Sequence, residues 1–358
     1  MKNPIDLAAE AAAFADQYQM LPQGSTVLCA VSGGKDSMAL LSVLQTLAPE
    51  RNLMIHAAHF NHQLRGEESQ RDEDFVSKWC ADHNIPLTIG SGDVAQAAQE
   101  QGKGIEETAR AMRYGFLTET AQEVGAEKIA TAHNADDNAE TVLLHLVRGS
   151  GLDGLTGIPP VRGILIRPLL GVPRIDIEVY LAQENIPHVE DSSNQDTKFA
   201  RNRIRQAILP VMKDLNPAFV STLSANLVHL REDRELLHDM AESVTCEALV
   251  EDGKVSIQAA SLADLPHPIA ARAVKQLLAK AGRFQVSAVH IDQIIELATG
   301  ETPSANLNLP EGLFAWREYE NLVICPAEAI PPSFSLRLLT GPGVFALDNG
   351  WQIEIEET

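Results

Sequence analysis

Apolar positions in the first half of the chain fall into short runs of strand length. All but the last are followed by a longer stretch in which apolar residues recur three and four apart. The runs at 27–31, 55–60, 87–89, 129–132 and 165–170 predict strands. The stretches near 35–47, 67–83, 105–124 and 136–147 predict helices, preceded by a polar-faced helix over 5–20. This β-α-β-α order predicts an α/β fold, a Rossmann-like and mostly parallel sheet with helices on both faces. Ligands in such folds sit beyond the carboxyl ends of the strands. Residues 32–37, 59–62 and 133–134 fall at such ends and are expected to share one crevice.

Past Asn216-Pro217 the pattern turns helical, with Val220, Leu223, Leu227 and Leu230 on one face and further helices near 269–280 and 288–299. From Asn306 it reads as short strands, 313–317 and 322–325, around a polar turn. Three domains are therefore expected: 1–216, α/β; 217–310, helical; and 311–358, a short β-rich segment. Residues 149–163, rich in glycine and proline, predict a long loop, and 191–197 (D-S-S-N-Q-D-T) a polar, mobile turn. No run reaches the length of a membrane span and the N-terminus has no apolar leader, so a cytoplasmic location is expected. The four cysteines form no C-x-x-C, which predicts reduced thiols.

Charge adds a constraint. The chain of 358 residues carries 28 Lys and Arg against 49 Asp and Glu, a net charge of −21, and both halves share the acidity. Contact with a nucleic acid would have to rest on local clusters of cations.

The chemistry concentrates first in Ala30-Val31-Ser32-Gly33-Gly34-Lys35-Asp36-Ser37, between the first strand and its helix. A glycine-rich turn there aims backbone N–H groups and a helix dipole at an anion. It is not the nucleotide-binding G-x-x-x-x-G-K-[ST], whose first glycine is missing. Nor is it the hydrolase G-x-S-x-G, which fails at one position and leaves Lys35-Asp36 unexplained. A plain helix start capped by Ser32 or Asp36 is the simplest alternative. The string S-G-G-K-D-S resembles the signature S-G-G-x-D-S of the PP-loop ATP pyrophosphatases at every position. That resemblance implies that Ala30, Ser32, Gly33, Gly34, Lys35, Asp36 and Ser37 hold ATP. It also implies that Asp36 is a Mg²⁺ ligand, since Mg²⁺ takes one or two carboxylates beside phosphate oxygens.

Four further stretches are similar to the tRNA(Ile)-lysidine synthetase family: His59-Phe60-Asn61-His62 to Arg65 with Glu67-Glu68-Ser69; Ala109-Arg110-Ala111-Met112-Arg113-Tyr114; His133-Asn134-Ala135-Asp136-Asp137-Asn138-Ala139-Glu140-Thr141; and Asp191-Ser192-Ser193-Asn194 through Arg201-Asn202-Arg203-Ile204-Arg205 to Pro210. The segment after 217 resembles that family's substrate-binding domain more weakly. The resemblance implies an ATP-dependent ligase that adenylates the wobble cytidine in the CAU anticodon of tRNA(Ile) at C2. The amine of free lysine then displaces AMP. It implies His59, Phe60 and His133 as nucleotide contacts, and Asp36, Arg113, Asp137, Glu140 and Arg205 as catalytic residues.

On a helix Asp136, Asp137 and Glu140 share a face, which suits Mg²⁺ or an incoming ammonium, although acids also favour helix starts. Asp36, Asp137 and Glu140 are all candidates for the base that deprotonates lysine. Arg110 and Arg113, one turn apart, could reach phosphates or merely face Glu106 and Glu107. Arg201 and Arg205 could carry transition-state charge or lie on an exposed helix. Arg148, Arg162, Arg167, Arg174 and the cluster at 198–205 are expected phosphate contacts, ahead of Lys275, Lys280 and Arg283. His59, His62 and His133 lack a zinc-site pattern, so no structural zinc is expected. A 2-thiolation enzyme is the nearest rival and a serine hydrolase at Ser32 a remote one. Many members of the family carry another C-terminal domain, so the short β-like end at Thr358 implies that it is missing or cut off.

Overall fold

The computed structural model describes residues 5–64, 66–190, 200–251, 253–282, 286–300, 305–326, 343–346 and 352–355. It forms two compact units, Met1–Arg234 and Glu235–Thr358.

The first unit opens with helix α1 (Leu7–Gln17), strand β1 (Thr26–Ala30), α2 (Lys35–Arg51), β2 (Met54–Asn61), α3 (Glu67–Asp82), β3 (Leu87–Ser91), α4 (Val94–Gln101), α5 (Ile105–Glu123) and β4 (Lys128–Ala130). It continues with α6 (Ala135–Val147), α7 (Leu152–Leu155), the hairpin β5 (Val161–Arg162) and β6 (Leu165–Ile166), and α8 (Arg174–Gln183). After the undescribed residues 191–199 come α9 (Ala200–Arg203), a π-turn (Ile204–Ile208), α10 (Leu209–Leu215) and the long α11 (Phe219–Thr245), which runs across the division between the units.

The sheet order is β3-β2-β1-β4-β6-β5, parallel throughout except for β5 against β6. Successive strand residues point to opposite faces. Val27, Cys29 and Val31 accordingly join one core with Leu7, Leu40, Leu44 and Ile177, while Leu28 joins another with Ala58, Leu117 and Ile129. Both faces are buried, which explains why β1 reads as an unbroken apolar run. The order in which the chain lays down its strands reverses between β1 and β4, with β2 and β3 on one side and β6 and β5 on the other. The crevice of the fold therefore opens at the carboxyl ends of β1 and β4.

The predicted strand 165–170 is shorter than its apolar run. After Ile166 the chain turns, with Leu170 N–H donating to the Arg167 carbonyl and Val172 N–H to that of Leu169. Pro168 has no N–H for a ladder, so Leu169 and Leu170 are buried as a turn. Helix α4 escaped the pattern because only Val94 and Ala98 of its eight residues are buried. The expected loop 149–163 contains α7 and begins the β5–β6 hairpin. The polar turn 191–197 lies outside the described residues.

The second unit contains β7 (Leu249–Glu251), β8 (Lys254–Gln258), α12 (Ala260–Ala263), α13 (His267–Lys280), α14 (Ala288–Thr299), β9 (Asn306–Leu309), β10 (Leu313–Glu318) and β11 (Asn321–Pro326). An antiparallel sheet of order β7-β8-β11-β10-β9 shares a core with the apolar faces of α13 and α14. Strands β7 and β8 interrupt the stretch expected to be helical. All three residues of β7 are exposed, so no alternation marked it. The hairpin β12 (Gly343–Ala346) and β13 (Gln352–Ile355) pairs separately. Among the described residues no helix is long and apolar enough to cross a membrane.

Candidate active site

The loop after β1 is held by its own serines. Ser32 N–H donates to Ser37 Oγ at 3.1 Å, the two hydroxyls lie 3.1 Å apart, and Ser37 Oγ donates to the Gly34 carbonyl at 2.9 Å. Gly33 sits at φ +89°, and a Cβ there would come within 2.8 Å of Val189 Cγ2. Its carbonyl accepts from Val189 N–H at 2.9 Å, so strand-like pairing with the segment after α8 fixes the loop. Gly34 caps α2 with no side-chain acceptor, which leaves the first N–H groups of the helix to face an anion. Neither Ser32 nor Asp36 is the cap of α2. Lys35 Nζ donates to Glu178 at 3.2 Å.

Helix α6 starts at the end of β4 with a reciprocal cap. Asn134 Oδ1 accepts from Asp137 N–H at 3.0 Å, and Asn134 N–H donates to Asp137 Oδ2 at 3.1 Å. The same Asn134, fully buried, gives its side-chain N–H to Asp36 Oδ1 at 2.9 Å. One residue thereby ties the β1 loop to the β4 loop across the crevice.

Asp137 and Glu140 are surrounded by arginines. Asp137 Oδ1 lies 3.2 Å from Arg174 and Arg205 and 3.4 Å from Arg201. Glu140, with no exposed side chain, accepts from Arg205 Nε at 2.6 Å, Arg205 Nη2 at 2.9 Å and Arg201 Nε at 3.0 Å. Asp136 accepts from Arg174 N–H and Lys213 Nζ. Arg174 comes from the start of α8, Arg201 from α9, and Arg205 from the π-turn, where Leu209 N–H donates to the Ile204 carbonyl. Pro210 follows directly; it has no N–H for a regular helical bond, and the wider turn makes room for its ring.

These groups surround one cleft of about 860 Å³. Ala30, Ser32, Gly34, Lys35, Asp36, Ser37, His59, Phe60, Arg113, His133, Asp137 and Arg205 line it, so the three loop segments converge as expected. Gly33 and Glu140 do not reach its wall. Gly33 acts through its backbone and Glu140 lies behind Arg201 and Arg205. Sequence reasoning missed Asn134 as the link to Asp36 and Glu178 as the partner of Lys35. It also gave Arg174 a role in phosphate contact alone, whereas its side chain lines the cleft and is tied to Asp137 as well. Arg174 arrives from a helix 37 positions away from Asp137, and no local spacing signals such a contact.

Burial pushes the Asp36 carboxyl above its ordinary range and the Asp137 charge adds to this, against Arg174, Asn134 and Arg205. Burial likewise lowers His59, whose Nδ1–H donates to the Val31 carbonyl at 2.9 Å. His133 is lowered well below its usual value, by burial first and then by Arg167, Arg201, Arg113 and Arg110. Both rings are therefore neutral near pH 7 and can accept or donate hydrogen bonds without charge. Among the described residues no group of three His, Cys, Asp or Glu could hold a metal unaided. The donor set, a half-buried carboxylate at Asp36 with Asp137 near it, fits Mg²⁺ only if phosphate oxygens and water complete its shell.

A PP-loop domain family matches residues 7–212, and a TilS substrate binding domain matches 258–323. A tRNA(Ile)-lysidine synthase of Geobacter sulfurreducens is 34% identical over 99% of this chain and 76% of its own length. That of Geobacillus kaustophilus is 33% identical over 95% and 75%. That of Thermotoga maritima reaches 48% over 55% of this chain and 48% of its own. Among solved structures, the U34-tRNA thiolase NcsA from Methanococcus maripaludis with its [4Fe-4S] cluster superposes with a TM-score of 0.52 at 17% identity. The match covers 63% of this chain and 79% of that one, and the likeness is one of fold. With both domain matches in order and relatives aligned over nearly its whole length, the chain belongs to the tRNA(Ile)-lysidine synthase family of PP-loop enzymes.

Proposed function

We propose that this chain joins free lysine to C2 of the wobble cytidine in the CAU anticodon of tRNA(Ile), consuming ATP and releasing AMP and pyrophosphate. The observation that carries this reading is the Asn134 bridge. It places the anion-facing start of α2, with Asp36, beside an acid pair backed by three arginines in one cleft.

The loop 32–37 would hold the ATP phosphates with its N–H groups and Lys35. Mg²⁺ would be held by Asp36, with Asp137 near it, and would neutralise charge on the departing pyrophosphate. The C2 carbonyl oxygen of cytidine attacks the α-phosphorus, and an O-adenylated base replaces a poor electrophile with a good one. Lysine's amine then bonds to C2 and the C2–O bond breaks, leaving with AMP. Asp137 and Glu140 hold Arg201 and Arg205 in place, so guanidinium charge is positioned within the cleft for the reaction. Asp137 lines the cleft and Glu140 does not, which favours Asp137 or Asp36 over Glu140 as the group that meets the lysine ammonium.

The thiolation reading draws no support from the cysteines. None lines the cleft; Cys29, Cys80 and Cys325 are buried, and burial pushes the Cys29 thiol up and the Cys80 thiol to about 11. Purified protein incubated with ATP, lysine and total tRNA, followed by nucleoside mass analysis, tests the proposal. Lysidine is the expected product; a 2-thiolated nucleoside, or none, would contradict it. Replacing all four cysteines should leave the activity in place.

A further inference from the structure

A second cationic cluster lies on α5 and the β5–β6 hairpin, built around Tyr114. The guanidinium carbons of Arg110, Arg113 and Arg162 stand 5.0, 5.4 and 5.9 Å from its ring centroid. Arg167, 1% exposed, faces the Tyr114 hydroxyl and donates Nη1–H to the Pro159 carbonyl. Its Nε and the Tyr114 hydroxyl are both buried without a hydrogen bond of normal geometry. Among the described residues no carboxylate pairs with any of the four arginines, Glu106 one turn before Arg110 included. Arg174, Arg201 and Arg205, by contrast, are all tied to acids. In a chain with 49 acids and 28 bases, four arginines gathered on one phenol without a counter-ion form a site for an external anion.

The position of the cluster indicates which anion. Arg110 and Arg113 line the cleft, Arg167 is buried behind them, and Arg162 is exposed. The phosphates of a nucleotide already have the start of α2. A mononucleotide enclosed in the cleft presents no charge to an exposed arginine. A polynucleotide does, because its backbone must pass from solvent to the reacting base, and cations graded from exposed to buried follow such a path. We propose that Arg110 and Arg162, with Arg113, bind backbone phosphodiesters of the RNA strand next to the reacting nucleotide, while the buried Arg167 adds its charge from behind them. The inference rests on the polynucleotide substrate proposed above.

The test uses the full chain, unfractionated tRNA and ATP. Affinity for tRNA is measured against salt for the parent, for Arg162→Gln, for the double variant Arg110→Gln/Arg162→Gln and for Arg162→Lys, with ATP affinity measured alongside. The double variant should bind tRNA at least about tenfold more weakly at low salt. Its log–log salt slope should be shallower by about 1.4, at roughly 0.7 per single-strand phosphate contact. Arg162→Gln alone should show about half that change in slope, and Arg162→Lys should keep the parent slope, as a phosphate contact by charge allows. Unchanged ATP affinity would report an intact cleft. An unchanged tRNA slope in the double variant, or a loss confined to ATP, would overturn the assignment while leaving the enzymatic reading in place. A parent that bound no tRNA would overturn the reading itself and this subsite with it.

Discussion

Asp36 shows how one residue can be costly for the fold and useful for the reaction. Its pKa is raised above the ordinary 3.8 by burial and by Asp137. The folded state therefore binds more protons than the unfolded chain between those two values. The contribution of Asp36 to stability is fully present below pH 3.8 and is lost as pH rises through the raised value. Above that value the charged form works against folding. Asp36→Asn should consequently abolish AMP and pyrophosphate formation while raising the melting temperature of the ligand-free protein at neutral pH. Thermal unfolding measured without nucleotide or Mg²⁺ checks this, and about 2–4 °C corresponds to each kcal/mol in a unit of this size. A lower melting temperature, or near-normal turnover, would mean that the carboxylate is part of the scaffold. Glu140 should behave in the opposite way. Removing it leaves Arg201 and Arg205 with Asp137 as their remaining acid, so Glu140→Ala should cost about 1–3 kcal/mol of stability in denaturant titration. Asp137→Asn should cost less, since Asp137 is partly open to the cleft. If the Asp137 variant still adenylates tRNA but does not finish the reaction, it marks the lysine side of the site.

At the scale of elements, two devices assemble the site: the pairing of the β1 loop with Val189, and the π-turn that delivers Arg205. Gly33→Ala meets both a left-handed φ of +89° and the 2.8 Å approach of Val189 Cγ2. It should cost about 1–3 kcal/mol and weaken ATP binding more than tRNA binding. Titrating each ligand separately would show whether the loop acts as a nucleotide cradle. These devices also mark how far the pattern of residues can be read. The strand runs 27–31 and 55–60, the loop between Ser32 and Ser37 and the acid-bearing helix after His133 were legible because each is local and follows a period of 2 or 3.6. Strand β7 was hidden because it is exposed on every residue, and α4 because it buries only two. The Asn134–Asp36 bridge joins residues 98 apart, and the Arg205–Glu140 pair residues 65 apart. Spacing carries no signal at such separations; only the family resemblance drew attention to the segments involved.

For the whole molecule, a net charge of −21 opposes a polyanionic substrate, so binding must depend on the few cations gathered at the cleft. Affinity for tRNA should fall steeply with salt. Replacing Arg201 and Arg205 by Ala should cost more activity than replacing Lys275 and Lys280 in the second unit. Assays of the two double variants decide between the surfaces, and a larger loss from the lysine pair would move the RNA surface to that unit. On the proposed route ATP energy is committed at the cytidine before lysine reacts. Protein, ATP and the cognate tRNA without lysine should form an adenylated tRNA, which added lysine converts to lysidine and AMP. The most direct measurement places ¹⁸O at C2 of the wobble cytidine and follows the label by mass through one turnover. The label should leave in AMP; label in pyrophosphate, or retained in the modified base, would rule out adenylation at the C2 oxygen.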